Sequence, residues 1–151
     1  VNLEWKDVNI TDRKGSLYIR SEKTEIHRTV PIPSHVLKVF KAYLQKHGVK
    51  ESYVFYSRQS DKVTERTVEN ILKKYHGLKT ETAEIDVVTP HMLRHTYAHD
   101  LTLGKMPIES IARLMGHFKK NGQPNIQQTS RYTMKSTGEI FEEVEDILAI
   151  K

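Results

Sequence analysis

Pro90-His91-Met92-Leu93-Arg94-His95-Thr96-Tyr97-Ala98-His99-Asp100-Leu101-Thr102-Leu103-Gly104 and, after Lys105-Met106, Pro107-Ile108-Glu109-Ser110-Ile111-Ala112-Arg113-Leu114-Met115-Gly116-His117 decide how this chain is read. Thr89 can cap a helix whose first residue is Pro90, a place where proline's missing N–H costs nothing. Gly104 is the expected stop, Pro107 the start of a second helix and Gly116 its end. Leu93, Tyr97 and Leu101 are spaced to face the core, and so are Ile108, Ile111, Ala112 and Met115. His91 and Arg94, at i and i+3, share one helix face. His117 follows directly after the second helix. Beyond a polar loop, Phe118 to Gln128, stands Tyr132, whose side chain is expected to be free to swing. An Arg, two His and a Tyr brought together suit a phosphodiester, because a guanidinium fork matches phosphate oxygens and a phenol can attack phosphorus.

Each residue also has a plainer reading. His91 could contact its own helix turn, Arg94 could serve a surface ion pair, His117 could cap free carbonyls, and Tyr132 could be a core aromatic. His91, His95 and His99 recur at i, i+4 and i+8 and could present metal ligands on one helix face. Position 92 is Met, however, not the Glu of H-E-x-x-H, and the chain has no cysteine to complete a structural zinc site.

Three motifs stand in order: His91-Met92-Leu93-Arg94, Leu114-Met115-Gly116-His117 and Thr129-Ser130-Arg131-Tyr132. In these the chain resembles the tyrosine recombinases, or phage-type integrases, and the resemblance covers nearly its whole length. It implies an α+β fold, mostly helical with a small antiparallel sheet on one side, as one catalytic domain over residues 1–151. It also implies site-specific cleavage and rejoining of DNA through a 3′-phosphotyrosyl intermediate, for integration or excision of a mobile element. Tyr132 would be the nucleophile and Arg94 one of two phosphate-clamping arginines. His91 and His117 would be hydrogen-bond and proton-transfer partners, with His91 the general base. Lys23, on a hairpin turn, would protonate the departing 5′ oxygen. The implied partners are double-stranded DNA and further copies of the chain in a tetramer, with no cofactor or metal. A type IB topoisomerase-like enzyme shares this active-site plan, and a catalytically silent DNA-binding module of the same fold is the non-enzymatic alternative.

Outward from the motifs, the chain gives supporting elements. Ser16 to Arg20 and Glu25 to Pro31 are β-rich runs flanking Ser21-Glu22-Lys23-Thr24, the pattern of a hairpin. Ser34 can cap a helix to His47, stopped at Gly48, with Val36, Leu37, Phe40, Tyr43 and Leu44 toward the core. Tyr53 to Tyr56 reads as a short strand, and Thr64 opens a helix to His76. Ser136-Thr137-Gly138-Glu139 fits a capping box for a last helix with Ile140, Phe141, Val144, Ile147 and Leu148 on one stripe. That stripe needs a protein groove, on its own domain or on another copy.

Charge is unevenly distributed. Residues 139–151 hold five acids and one base, so residues 1–138 carry 23 bases against 14 acids. Such a body suits a polyanion, since each neutralised phosphate releases a counterion. No apolar run approaches membrane-spanning length, and the lack of cysteine suits a reducing cytoplasm. The family's Val-x-Leu-x-Trp-x-Asp-Val segment follows the helix that bears the first catalytic arginine, so that arginine is expected ahead of Val1. The loop from His117 to Tyr132 is longer than most members have. With only Arg94 of the two clamping arginines that the resemblance implies, this chain is expected to bind DNA weakly and not to exchange strands.

Overall fold

The structure, a computed structural model, describes residues 2–21, 25–49, 52–57, 60–79 and 84–149. Lys23 lies outside them. The fold is α+β, as the motifs imply, and it divides into two compact units, Val1–Leu93 and Arg94–Lys151.

The N-terminal unit is built on a three-stranded antiparallel sheet in the order β1-β2-β3, with β1 at Val8–Ile10, β2 at Gly15–Ile19 and β3 at Arg28–Ile32. The expected hairpin is β2–β3, paired from Gly15↔Ile32 to Ile19↔Arg28. Strand β1 was not legible, because three residues cannot show a period. Its place is secured by Thr11 and Lys14, whose backbone bond (2.8 Å) closes the turn into β2. Buried Asp7 accepts from Arg20 Nε (3.0 Å) and Nη2 (2.6 Å), tying the end of β2 to the residue before β1.

Helix α1 spans Ser34–His47 and ends at Gly48 as expected. Ser34 does not cap it. Pro33 is the N-cap residue, its carbonyl accepting from Leu37 N at 2.8 Å, and Ser34 is already helical. Leu37 is buried while Val36 is 40% exposed, so the core-facing stripe is narrower than its spacing predicts. Gly15 lets the helix come this close: a Cβ there would stand 2.9 Å from Leu37 Cδ1. Residues 53–56 form no strand. Tyr53 makes one isolated bridge to Glu4, and Val54, fully buried, is held by Leu3 O (2.9 Å) and by Tyr43 Oη donating to its carbonyl (3.0 Å).

Helix α2, Glu65–Leu72, is capped by the Thr64 side chain and passes into a 3₁₀ turn at Lys73–Tyr75, short of the expected end at His76. A two-stranded pair, β4 at Leu78–Lys79 and β5 at Glu84–Ile85, occupies what sequence alone leaves as a connection.

Helix α3 runs Pro90–Leu103 and crosses from the first unit into the second. Met92 N donates to Thr89 Oγ1 at 3.2 Å, the expected cap. Its exit differs in detail. Lys105, at φ 60°, takes the left-handed position, with Lys105 N bonded to Thr102 O (2.9 Å) and Met106 N to Leu101 O (3.0 Å). This is a Schellman ending one residue later than glycine placement suggested.

In the C-terminal unit α4 is Ile108–Met115, α5 Ile126–Ser130 and α6 Thr137–Leu148. Ala98, Ile111 and Met115 form its core, with Leu101, Met106 and Tyr132 packed against them. Leu93 and Tyr97 do not join this core: they are 51% and 37% exposed, and Ala98 takes the inward position.

Candidate active site

The ending of α4 positions the first imidazole. Gly116 adopts φ 73°, Gly116 N donates to Arg113 O (3.1 Å), and His117 N donates to Ala112 O (2.9 Å). That pattern requires a left-handed residue at position 116, where a Cβ costs roughly 1–2 kcal/mol. It delivers His117 into the protein, where it is only 3% exposed.

Arg94 reaches the same place from α3. Its Nη2 donates to the carbonyl of Met115, one of the acceptors that a helix end leaves unpaired, and lies 3.3 Å from His117 Nε2. The guanidinium therefore rests on the C-terminal end of α4, where the helix dipole favours a cation.

The loop after His117 is more ordered than its polarity suggests. Phe118 and Pro124 form an isolated antiparallel bridge, Lys119 N donates to Gln123 O (2.8 Å), and Asn125 N donates to His117 O (2.7 Å). Asn125 then caps α5 through Gln128 N (3.1 Å). Thr129, fully buried on α5, brings Oγ1 to 3.0 Å from His117 Nδ1.

Tyr132 is not free to swing. Its amide donates to Thr129 O (2.9 Å), and its ring centroid lies 5.2 Å from that of His117 and 5.4 Å from that of His95. A five-residue helix where a loop was expected brings the tyrosine back over the imidazole. Arg94, His117 and Tyr132 are thus gathered within the C-terminal unit. His91 stands three residues before Arg94 on α3, in the segment belonging to the first unit, and Lys23 falls outside the described residues.

Two further residues on α3 have their own contacts: His95 against the Tyr132 ring, and His99, whose Nε2 lies 3.2 Å from Glu139 Oε1. No group of three or more His, Cys, Asp and Glu side chains able to hold a metal occurs among the described residues. Sequence reasoning missed Thr129 and the Met115 carbonyl as partners.

Helix α6 carries the expected capping box: Ser136 N donates to Glu139 Oε2 (2.6 Å) and Glu139 N to Ser136 Oγ (3.3 Å). It meets its unit through acids instead of through its apolar stripe. Glu139 pairs with His99 and Glu143 with Lys135 (2.5 Å), while Ile140, Phe141, Val144, Ile147 and Leu148 are 44% to 68% exposed. Among the described residues of this helix none is buried.

Residues 1–139 match the model of the phage integrase family. Among relatives, "Tyrosine recombinase XerA" of Pyrococcus furiosus is 33% identical over 147 residues, 95% of this chain and 47% of that protein. A "Tyrosine recombinase" of Agathobacter rectalis is 32% identical over 124 residues, 80% of this chain and 39% of that one. The chain spans about half the length of the relatives it matches. Among solved structures, the crystal structure of XerA recombinase superposes with a TM-score of 0.77 at 22% identity, covering 99% of this chain and 52% of that one. The Tn1549 transposon integrase in complex with transposon right end DNA gives 0.64 at 20% identity, covering 99% and 53%. These two share the fold.

Proposed function

The chain belongs to the phage integrase family, and on that premise we propose that it cleaves and rejoins double-stranded DNA at specific sites through a 3′-phosphotyrosyl intermediate, in the integration or excision of a mobile element. The observation that carries this is the convergence of Arg94, His117 and Tyr132: a guanidinium nitrogen 3.3 Å from an imidazole that lies against the tyrosine ring.

The chemistry follows from these groups. The phenolic oxygen of Tyr132 attacks phosphorus and bonds to it as the P–O5′ bond breaks. The phenol proton leaves to a base, for which His91 is the assignment, and Lys23 returns a proton to the departing 5′ oxygen. Negative charge gathering on the non-bridging oxygens calls for a planar, bidentate cation, and Arg94 supplies one by exchanging the Met115 carbonyl for phosphate. Because phosphotyrosine stores the bond energy, a 5′ hydroxyl of the same or another strand can reverse the step without ATP.

The basic body of residues 1–138 suits a DNA partner, and the similar Tn1549 transposon integrase was solved in complex with transposon end DNA. Further copies assembled on DNA, as a tetramer, would give the exposed stripe of α6 a groove on a neighbouring subunit. No helix among the described residues is long and apolar enough to cross a membrane, and a DNA substrate would suit work in the cytoplasm.

Nicked DNA carrying a candidate target site tests the assignment. The intact protein should form an adduct resistant to denaturant, Tyr132→Phe should form none while still binding, and Arg94→Lys should lose adduct more than binding. An adduct retained in Tyr132→Phe would overturn the nucleophile. Binding without adduct in the wild-type protein would support the silent DNA-binding module, and relaxation of supercoils without partner DNA the topoisomerase.

A further inference from the structure

Taking His117 as part of that site, we infer that Thr129 is a positioning residue that fixes which ring nitrogen of His117 carries the proton. One hydrogen-bond chain sets the proton from both of its ends. Thr129 Oγ1 lies 2.9 Å from the Asn125 carbonyl and 3.0 Å from His117 Nδ1. A carbonyl can only accept, so the single hydroxyl proton goes to Asn125, and Oγ1 is left to accept from His117. Nδ1 therefore bears hydrogen. At the other end Arg94 Nη2 lies 3.3 Å from Nε2, and a guanidinium nitrogen can only donate. Nε2 therefore bears a lone pair.

The two assignments are independent and agree: His117 rests as the Nδ1–H tautomer. Rotating the ring by half a turn would set C–H groups against both Thr129 and Arg94 and lose both bonds. In a residue only 3% exposed, such losses are not made good by water. The partner on one ring nitrogen commonly decides the state of the other. Here the partner is a hydroxyl, held in place because Thr129 also bonds its own helix, with Thr129 N donating to Asn125 O at 3.1 Å. The nitrogen beside Arg94 is thus kept bare by a residue that itself stands one layer back. Hydroxyl and short stem are both needed, and serine retains both while valine retains only the shape.

The test is nitrogen-15 spectroscopy of histidine-labelled chain at neutral pH, which reads the tautomer of His117 without DNA. The expected result is a protonated Nδ1 and an unprotonated Nε2 in the wild-type chain and in Thr129→Ser. Thr129→Val should move the tautomer ratio toward Nε2–H by about tenfold, the scale of one lost buried hydrogen bond. Ser130→Ala, which removes the neighbouring hydroxyl, should leave the ratio unchanged. A dominant Nε2–H form in the wild-type chain, or an unaltered ratio in Thr129→Val, overturns the inference. If the valine variant does not fold, the wild-type and serine spectra still decide. Because the readout involves no DNA, a failed adduct experiment at Tyr132 leaves this result standing, and the reverse holds too.

Discussion

On α4, Ile111, Ala112 and Met115 are all at most 3% exposed, whereas on α6 the apolar residues Phe141, Ile147 and Leu148 are each more than 60% exposed. Both helices belong to the same unit, and both show apolar residues at helical spacing with polar ones opposite. Helix α4 turns its stripe into a core shared with Ala98 of α3, and its exit carries a site residue. Helix α6 is attached by Glu139 to His99 and by Glu143 to Lys135, which leaves its stripe facing out. Amphipathicity thus forecasts a helix and a face, but not what covers the face. What covers it depends on the charges of the other side and on which of them find partners.

The largest effect that could break this contrast lies in paired truncations. Ile111→Ala should cost about 2–5 kcal/mol, because a fully packed side chain is lost and a cavity left behind. Phe141→Ala should stay within about 0.5 kcal/mol in the isolated chain. Urea denaturation of the two variants checks both, and equal losses would mean that the α6 stripe is covered in solution. Gly116→Ala comes next, at about 1–2 kcal/mol, from a Cβ at φ 73°. It should also perturb the His117 side-chain resonances, as a replacement on exposed α6 would not.

Ser136→Ala should cost about 1 kcal/mol through loss of the capping box, with faster amide exchange confined to the first turn of α6. The smallest effect is electrostatic. The backbone and side-chain hydrogen bonds of Ser136 hold the Glu139 carboxyl below its usual range, and Lys135 does the same for Glu143. Carboxyls depressed in the folded state stabilise it above their ordinary value near 4.5, and that contribution fades as pH falls through the depressed values. Amide chemical shifts on acidification should therefore show α6 loosening below about pH 4.5 while α4 holds.

Elements set by local chemistry were legible in the sequence. The start of α3 at Thr89-Pro90, the end of α1 at Gly48, the end of α4 at Gly116 and the capping box of α6 each follow from a few adjacent residues. Elements set by distant partners were not. Strands β4 and β5 have two residues each and exist through their pairing, and α5 hides in a polar segment whose only flag is Asn125 three residues before Gln128. The site divides the same way. Arg94, His117 and Tyr132, which the structure brings together, stand in motifs that the sequence shows in order, but the Thr129–His117 contact spans twelve residues and a turn that no local pattern announces.

The small hairpin after His117 has a consequence for engineering. The chain leaves the site at His117 and returns at Asn125, where Asn125 N meets His117 O at 2.7 Å, and the Phe118–Pro124 bridge closes the base. Everything from Lys119 to Gln123 therefore hangs outside a stapled neck. Residues added at the exposed tip, Lys120-Asn121-Gly122, lengthen the excursion without changing where it begins or ends. The excursion is then a detour and not a displacement, and its exposed tip is an insertion port for a reporter or an affinity tag.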